Sequence, residues 1–308
     1  MKKILFSTRP YRFLAQEMLA LGDFKRGKVE EKTFPDGEHY QRILTNVEDR
    51  SVVLVGGTVN DVTTLELYDL ASTLVQLGCA SLDLVIPYYG YSTMERAVQP
   101  GEVVAAKNRA RLLSSIPRSQ KGNKVYLFDL HSEGIPHYFE DHLRAVHVYC
   151  KDLIIEAALQ NGGSNFVLAS TDAGRAKWVE SLAKEIGVNP AFVLKRRVSG
   201  SETEVTAINA DVAGKTVVLY DDMIRSGSSL IHAANAYQQA GATRIVVITT
   251  HAVFVNGAVE RLQASGLIEK VICTNTHVAS QETWGDFVEV LSIAPLMIKH
   301  LKKGGYHK

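Results

Sequence analysis

Val217-Val218-Leu219-Tyr220-Asp221-Asp222-Met223-Ile224-Arg225-Ser226-Gly227-Ser228-Ser229 sets a strand-like apolar run against two adjacent acids and a loop of small hydroxyl residues. An amphipathic run follows from about Leu230, with Leu230, Ala233, Ala234 and Tyr237 on one helical face and Gly241 where a C-terminal glycine is expected. The pattern predicts a strand that delivers the acid pair to a tight loop, then a helix. Such a unit suits a sugar phosphate. Adjacent carboxylates accept hydrogen bonds from vicinal ribose hydroxyls, while loop N–H groups and the helix N-terminus hold a phosphate. The plainer alternative is a capped helix after a buried strand, with Asp222 as a solvated turn acid.

Working outward, strand-like runs at Ser51–Val55, Leu82–Pro87, Lys124–Phe128, Phe166–Ala169, Lys215–Tyr220 and Arg244–Thr250 alternate with helical segments. Alternation of this kind predicts an α/β protein with mainly parallel sheets flanked by helices. The chain also echoes itself. Val52–Val55, a helical run ending Gln76-Leu77-Gly78, and Leu82–Pro87 parallel Val217–Tyr220, a run ending Gln239-Ala240-Gly241, and Arg244–Thr250. Chance likeness between two βαβ units is the alternative; a true repeat implies two related domains meeting near Val146–Asp152. Where the second copy has Asp221-Asp222, the first has Gly56-Gly57. Glycines offer no carboxylate to a ribose, so the sugar is expected in the second half.

A length of 308 residues accommodates two ordinary domains, and 46% hydrophobic with 22% charged residues is a globular composition. A formal net charge of +1 argues against a nucleic-acid partner held by a general basic field. Cys79, Cys150 and Cys273 match no zinc or redox spacing, which suits buried packing in a reducing compartment. The basic start Met1-Lys2-Lys3 leads an apolar run that stops at Ser7, too short for a signal sequence. No segment approaches a membrane span, so a cytoplasmic location without membrane partners is expected.

Other residues hold chemistry by position. Asp129-Leu130-His131 and Thr171-Asp172-Ala173-Gly174 each end a predicted strand, where ligands sit in open parallel sheets. An Asp and a His there could take magnesium or orient a phosphate; a structural Asp–His contact and a helix N-cap are the alternatives. Lys195-Arg196-Arg197 precedes Val198-Ser199-Gly200-Ser201-Glu202-Thr203-Glu204, a composition that predicts a mobile loop. Its cations could neutralise charge developing in a transfer reaction, or be a solvated turn. Phe34-Pro35-Asp36-Gly37-Glu38 reads as a turn, and no Walker A loop is present.

Taken in order, Phe34–Glu38, Val85-Ile86-Pro87-Tyr88-Tyr89-Gly90-Tyr91, Asp129–His131, Asp172–Gly174, Lys195–Arg197, the Asp221-Asp222 loop and Thr249-Thr250-His251 resemble the ribose-phosphate pyrophosphokinases almost end to end. The resemblance implies two phosphoribosyltransferase-like domains related by duplication: residues 1–147, completed by 288–308, and residues 148–287. It also implies transfer of the diphosphoryl group of MgATP to the anomeric hydroxyl of ribose 5-phosphate, giving phosphoribosyl pyrophosphate (PRPP) and AMP. By position, Asp221 and Asp222 would hold the ribose hydroxyls, and Ser226, Gly227, Ser228 and Ser229 the 5-phosphate. His131 and Asp172 match magnesium-linked residues, and Lys195 and Arg197 the catalytic loop cations. Phe34, Asp36 and Glu38 match a nucleotide loop that reaches a neighbouring subunit, which implies a homo-oligomer.

Two departures point to the class II subgroup. The nucleotide segment is Thr93-Met94-Glu95-Arg96, keeping Arg96 as a nucleotide contact without the usual Arg-Gln pair, and Arg225 replaces an aspartate in the phosphate loop. Phosphate independence and a looser choice of nucleoside triphosphate are what that resemblance implies. A PRPP-consuming phosphoribosyltransferase shares the acid-pair loop, and a non-catalytic regulatory subunit shares the fold; both are alternatives.

Overall fold

The computed structural model describes residues 1–140, 142–171, 173–199 and 202–303. The chain divides into two compact units, Met1–Tyr149 with Ile293–Lys308, and Cys150–Ser292.

The first unit runs β1 (Lys3–Ser7), α1 (Arg12–Leu21), β2 (Phe24–Arg26), a hairpin of β3 (Val29–Thr33) and β4 (His39–Ile43), β5 (Ser51–Val55), α2 (Asp61–Gln76), β6 (Ser81–Ile86), α3 (Ala105–Ser114), β7 (Asn123–Phe128) and β8 (Leu143–Val148). The second follows with α4 (Lys151–Gly162), β9 (Phe166–Ser170), α5 (Ala176–Ile186), β10 (Asn189–Ser199), β11 (Glu202–Ile208), β12 (Thr216–Ile224), α6 (Ser228–Gln239), β13 (Arg244–Ala252), α7 (Ala258–Ala264), β14 (Lys270–Thr274) and β15 (Val288–Leu291). Helix α8 (Ala294–Lys303) returns the chain to the first unit, where Lys3 Nζ donates to Leu301 O at 3.1 Å and pairs with Asp83 at 2.7 Å.

The first large sheet is parallel throughout, and the second is parallel apart from one edge. The first has the order β2-β1-β5-β6-β7-β8, and the second β11-β10-β9-β12-β13-β14-β15 with β11 antiparallel. Removing β11 leaves the same order twice, with β9, β10, β12, β13, β14 and β15 standing where β1, β2, β5, β6, β7 and β8 stand. The echo is therefore a repeat of topology as well as of sequence. Strands buried on both faces explain the continuous apolar runs: Val52–Val55 and Val217–Tyr220 are fully enclosed. Helix α2 buries Leu67, Leu70, Ala71 and Leu74, and α6 buries Leu230, Ala233, Ala234 and Tyr237, the same spacing in both. Asn60 starts α2 with a capping box, its Oδ1 accepting from Thr63 N at 2.9 Å while Thr63 Oγ1 accepts from Asn60 N at 3.0 Å; such a cap is worth about 1 kcal/mol. The three cysteines are buried and form no disulfide, and burial pushes the Cys79 and Cys273 thiols up to about 11 and about 12, so they act as packing residues.

The structure departs from the sequence reading in three places. The acid pair does not sit in a loop: β12 continues through Ile224, with Asp221 opposite Thr249 and Met223 opposite His251. Of the segment read as a mobile loop, Val198 and Ser199 belong to β10 and Glu202, Thr203 and Glu204 to β11, strands paired from Val193↔Ile208 to Ser199↔Glu202, while Gly200 and Ser201 lie outside the described residues. Its β-branched residues (Val198, Thr203, Val205, Thr206, Ile208) favour a pleated strand over a loop. Finally, Val288–Leu291 pairs with β14 as the sheet edge, so the return begins at Ile293 and not at Val288.

Candidate active site

In both sheets the chain reverses its direction of travel across the sheet, between β9 and β12 in one and β1 and β5 in the other. Crossovers leave on opposite sides there, which opens a crevice beyond the strand ends and makes it the favoured ligand position. The two crevices differ in what the sequence puts into them.

At the second switch point, β9 ends at Ser170-Thr171 and β12 delivers Asp221 and Asp222. Thr171 Oγ1 donates to Asp221 Oδ2 at 3.1 Å, and Asp222 N donates to Asp221 Oδ1 at 3.0 Å. Asp222 is 3% exposed and forms an ion pair with Arg175, at the start of α5. Burial and the neighbouring Asp222 raise the Asp221 carboxyl well above the usual carboxylate range. The ionised form of Asp221 is thus disfavoured, a state that hydroxyl donors or a cation would relieve. Sequence reading missed Arg175. A basic residue just after the Thr171–Gly174 segment was the available signal, but nothing in the sequence says that it faces Asp222.

Arg225, Ser226 and Gly227 turn the chain from β12 into α6. Gly227 is the N-cap residue with φ +79°, and the first turn of α6 has no side-chain cap. Its N–H groups stay available to an anion, in the field of the helix N-terminus. The hydroxyls of Ser226 and Ser228 lie 3.2 Å apart, and Arg225, Ser228 and Ser229 are exposed. Only a residue tolerant of positive φ makes this turn, and a Cβ at Gly227 would also meet Leu262 Cγ at 2.9 Å.

The first switch point is filled. A Cβ on Gly57 would lie 2.2 Å from the Tyr11 hydroxyl, and one on Gly56 would lie 2.6 Å from Thr8 Cγ2. Tyr11 is fully buried, which raises its phenol far above its ordinary value. Of the glycines that replace the acid pair, Gly57 is therefore required by Tyr11 and Gly56 by Thr8.

The remaining predicted residues fall as follows. Phe34, Asp36 and Glu38 form the β3–β4 turn, closed by Phe34 N to Glu38 O at 2.8 Å and by Glu38 N to Asp36 Oδ1 at 3.1 Å. Phe34 is 46% exposed and meets Tyr40 edge to face at 6.2 Å. Arg96 is exposed and 3.6 Å from the Glu95 carboxylate. His131 is exposed just beyond β7, after buried Asp129. The backbones of Lys195 and Arg197 lie on β10 opposite Val205 and Thr203, and their side chains lie outside the described part. Asp172 lies outside the described residues. Among the described residues no group of three or more His, Cys, Asp or Glu could hold a metal, and no helix is long and apolar enough to cross a membrane.

Comparison with known proteins agrees with this layout. Residues 3–116 match the N-terminal domain of ribose phosphate pyrophosphokinase, and residues 165–300 match the phosphoribosyl synthetase-associated domain. The ribose-phosphate pyrophosphokinase of Synechococcus elongatus is 34% identical over 298 residues, which covers 95% of this chain and 88% of that protein. That of Thermococcus kodakarensis is 33% identical over 272 residues, covering 88% of this chain and 91% of its own. The crystal structure of phosphoribosylpyrophosphate synthetase from Mycobacterium smegmatis superimposes with a TM-score of 0.86 at 25% identity, over 99% of this chain and 100% of that one.

Proposed function

Because the chain belongs to the ribose-phosphate pyrophosphokinase family, we propose that the β12–α6 unit is its ribose 5-phosphate site and that the remaining residues serve the nucleotide. The chain is a diphosphotransferase: the diphosphoryl group of ATP passes to the anomeric hydroxyl of ribose 5-phosphate, and PRPP and AMP result.

The observation that carries the assignment is the acid pair near the C-terminal end of β12, just before an uncapped α6, at the switch point. Asp221 and Asp222 accept from the ribose hydroxyls. The amides at the start of α6, with the hydroxyls of Ser226, Ser228 and Ser229, take the 5-phosphate, and Arg225 adds a fixed charge at its rim. Phe34, Asp36, Glu38, Arg96 and His131 contact the nucleotide. Lys195 and Arg197 neutralise the oxygens of the group in transfer, whose reaction needs alignment and charge compensation more than covalent help.

Magnesium fits this donor set. Mg2+ is commonly held by one or two carboxylates and the substrate's own phosphates, so a three-ligand protein cage is not required. His131 and Asp172 would hold it, and when bound it supplies neutralisation of the polyphosphate charge. Homo-oligomerisation suits the exposed Phe34 turn, and buried reduced cysteines suit the cytoplasm. The departures at Thr93-Met94 and Arg225 suit an enzyme with relaxed donor choice and no need of inorganic phosphate.

Incubation with ribose 5-phosphate and MgATP tests the reading. Formation of AMP and PRPP in equal amounts is expected. A protein that binds nucleotide without turnover is a regulatory subunit instead.

A further inference from the structure

The loop after β12 is held from behind. Three consecutive carbonyls, those of Ile224, Arg225 and Ser226, are engaged by the segment that follows β13. Ile224 O accepts from Val253 N at 3.0 Å and from Phe254 N at 2.9 Å, and Arg225 O accepts from Val255 N at 3.1 Å. For Ser226 O the donor is a side chain, Arg261 Nη2 on α7, at 2.9 Å. The same guanidinium bonds Asn256 O through Nη1 and reaches Val255 O at 3.4 Å. Arg261 thus fastens the Arg225–Gly227 turn to the segment lying beneath it.

Peptide geometry gives this a consequence. In a trans peptide the carbonyl and the next residue's N–H point in opposite directions. Turning the carbonyls of residues 224–226 backward aims the amides of Arg225, Ser226 and Gly227 forward, next to the uncapped first turn of α6. A run of aligned amides is an anion-binding concavity. We propose that Arg261 is a positioning residue for recognition of the 5-phosphate, an inference that rests on the β12–α6 loop being the phosphate cradle. Arg261 acts through Ser226 O, fixing the Ser226–Gly227 peptide in the orientation the phosphate needs. Its neighbour Leu262 sets the steric half, filling the space beneath Gly227. The Arg261 guanidinium donates to the carbonyls of Ser226, Val255 and Asn256, so its positive charge is directed at the loop and the segment beneath it.

The test uses the full chain with Arg261→Met, Arg261→Lys and, as a control on the cradle itself, Ser228→Asp. An aspartate at the first position of α6 favours the helix while placing a carboxylate where the phosphate would sit. Steady-state kinetics are measured against each substrate, with thermal melts. Arg261→Met is expected to raise the KM for ribose 5-phosphate about ten- to a hundredfold, the worth of a hydrogen bond from a charged group. The KM for ATP and kcat are expected to stay within about twofold. Arg261→Lys, able to restore one bond, should recover part of the loss, and Ser228→Asp should lose ribose 5-phosphate use altogether. If Ser228→Asp is impaired and Arg261→Met keeps its ribose 5-phosphate KM, the role of Arg261 is overturned alone. If neither variant is impaired, the cradle reading falls with it. A rise in both KM values together with a lowered melting temperature would make Arg261 merely structural, and would also overturn the proposal.

Discussion

His277, just past β14, gives the second unit a specific acid sensitivity. It is 5% exposed and starts a short 3₁₀ turn, its Nδ1 accepting from Ala279 N at 3.1 Å. A further hydrogen bond runs between its ring and the backbone of Ala252. Acceptance at Nδ1 requires the neutral ring. Burial, then repulsion from nearby His251, lower its pKa from 6.5 to about 4. Above about pH 6.5 both folded and unfolded chains hold it neutral, and stability is independent of this group. As pH falls toward 4 the unfolded chain takes up the proton and the folded chain does not, so stability is lost. Across the full gap between 6.5 and about 4 the loss is about 3 kcal/mol, and between pH 7 and pH 4.5 about 2 kcal/mol. His277→Asn keeps a side-chain acceptor for Ala279 N without a titrating ring. The chain's two tryptophans, Trp178 and Trp284, both lie in the second unit, so tryptophan fluorescence in urea follows that unit. His147, also depressed by burial, lies in the other unit and leaves this signal alone. The variant should start less stable at pH 7 but lose about 2 kcal/mol less than the parent on going to pH 4.5. Parallel losses in parent and variant would refute the reasoning.

Further outcomes follow from the same geometry. Lys195→Ala should lower kcat by about a hundredfold or more while leaving the ribose 5-phosphate KM nearly unchanged, as loss of a transition-state contact does; unchanged turnover would remove Lys195 from the mechanism. With Asp221 raised by burial and Asp222, the ribose 5-phosphate KM should fall as pH rises above neutrality, and Asp221→Asn should abolish that trend along with most of the affinity. Gly57→Asp should not create a second sugar site: the new side chain meets the Tyr11 hydroxyl, so a loss of about 3 kcal/mol or more in the first unit is expected from denaturation curves. Assays with ATP, GTP and CTP, with and without inorganic phosphate, should show activity with all three donors and no absolute phosphate requirement; strict ATP use with phosphate dependence would contradict the role given to Arg225 and Thr93-Met94.

The fold was legible wherever burial forces a continuous apolar run. Ser51–Val55, Lys124–Phe128 and Arg244–Thr250 were readable because both faces of these strands are covered, and the repeat showed because two copies of one topology need the same spacing. Short or polar strands such as β2 and β3 escaped, since their composition does not separate them from loops. Val198–Glu204 reads as a loop for the complementary reason: its charge and small residues resemble one, while the antiparallel pairing of β10 with β11 is set by a partner strand that local sequence does not contain.

For the site, the chemistry available is written in the local sequence: two adjacent carboxylates, a Gly/Ser turn and a helix start, in an order shared with a family. A one-dimensional pattern can carry that much because the β12–α6 unit is contiguous. Which groups converge on it is set by the fold. Thr171 and Arg175 reach the acid pair from the end of β9 and the start of α5, and Arg261 reaches Ser226 O from α7, thirty-five positions away in sequence. The reason the first half lacks a matching site is also tertiary. Gly56 and Gly57 read as flexible residues, but in the fold they make room for Thr8 and Tyr11. Contacts of this kind arise because crossovers bring strand ends and helix starts together at a switch point, and no local preference of the chain records which side chain will arrive there.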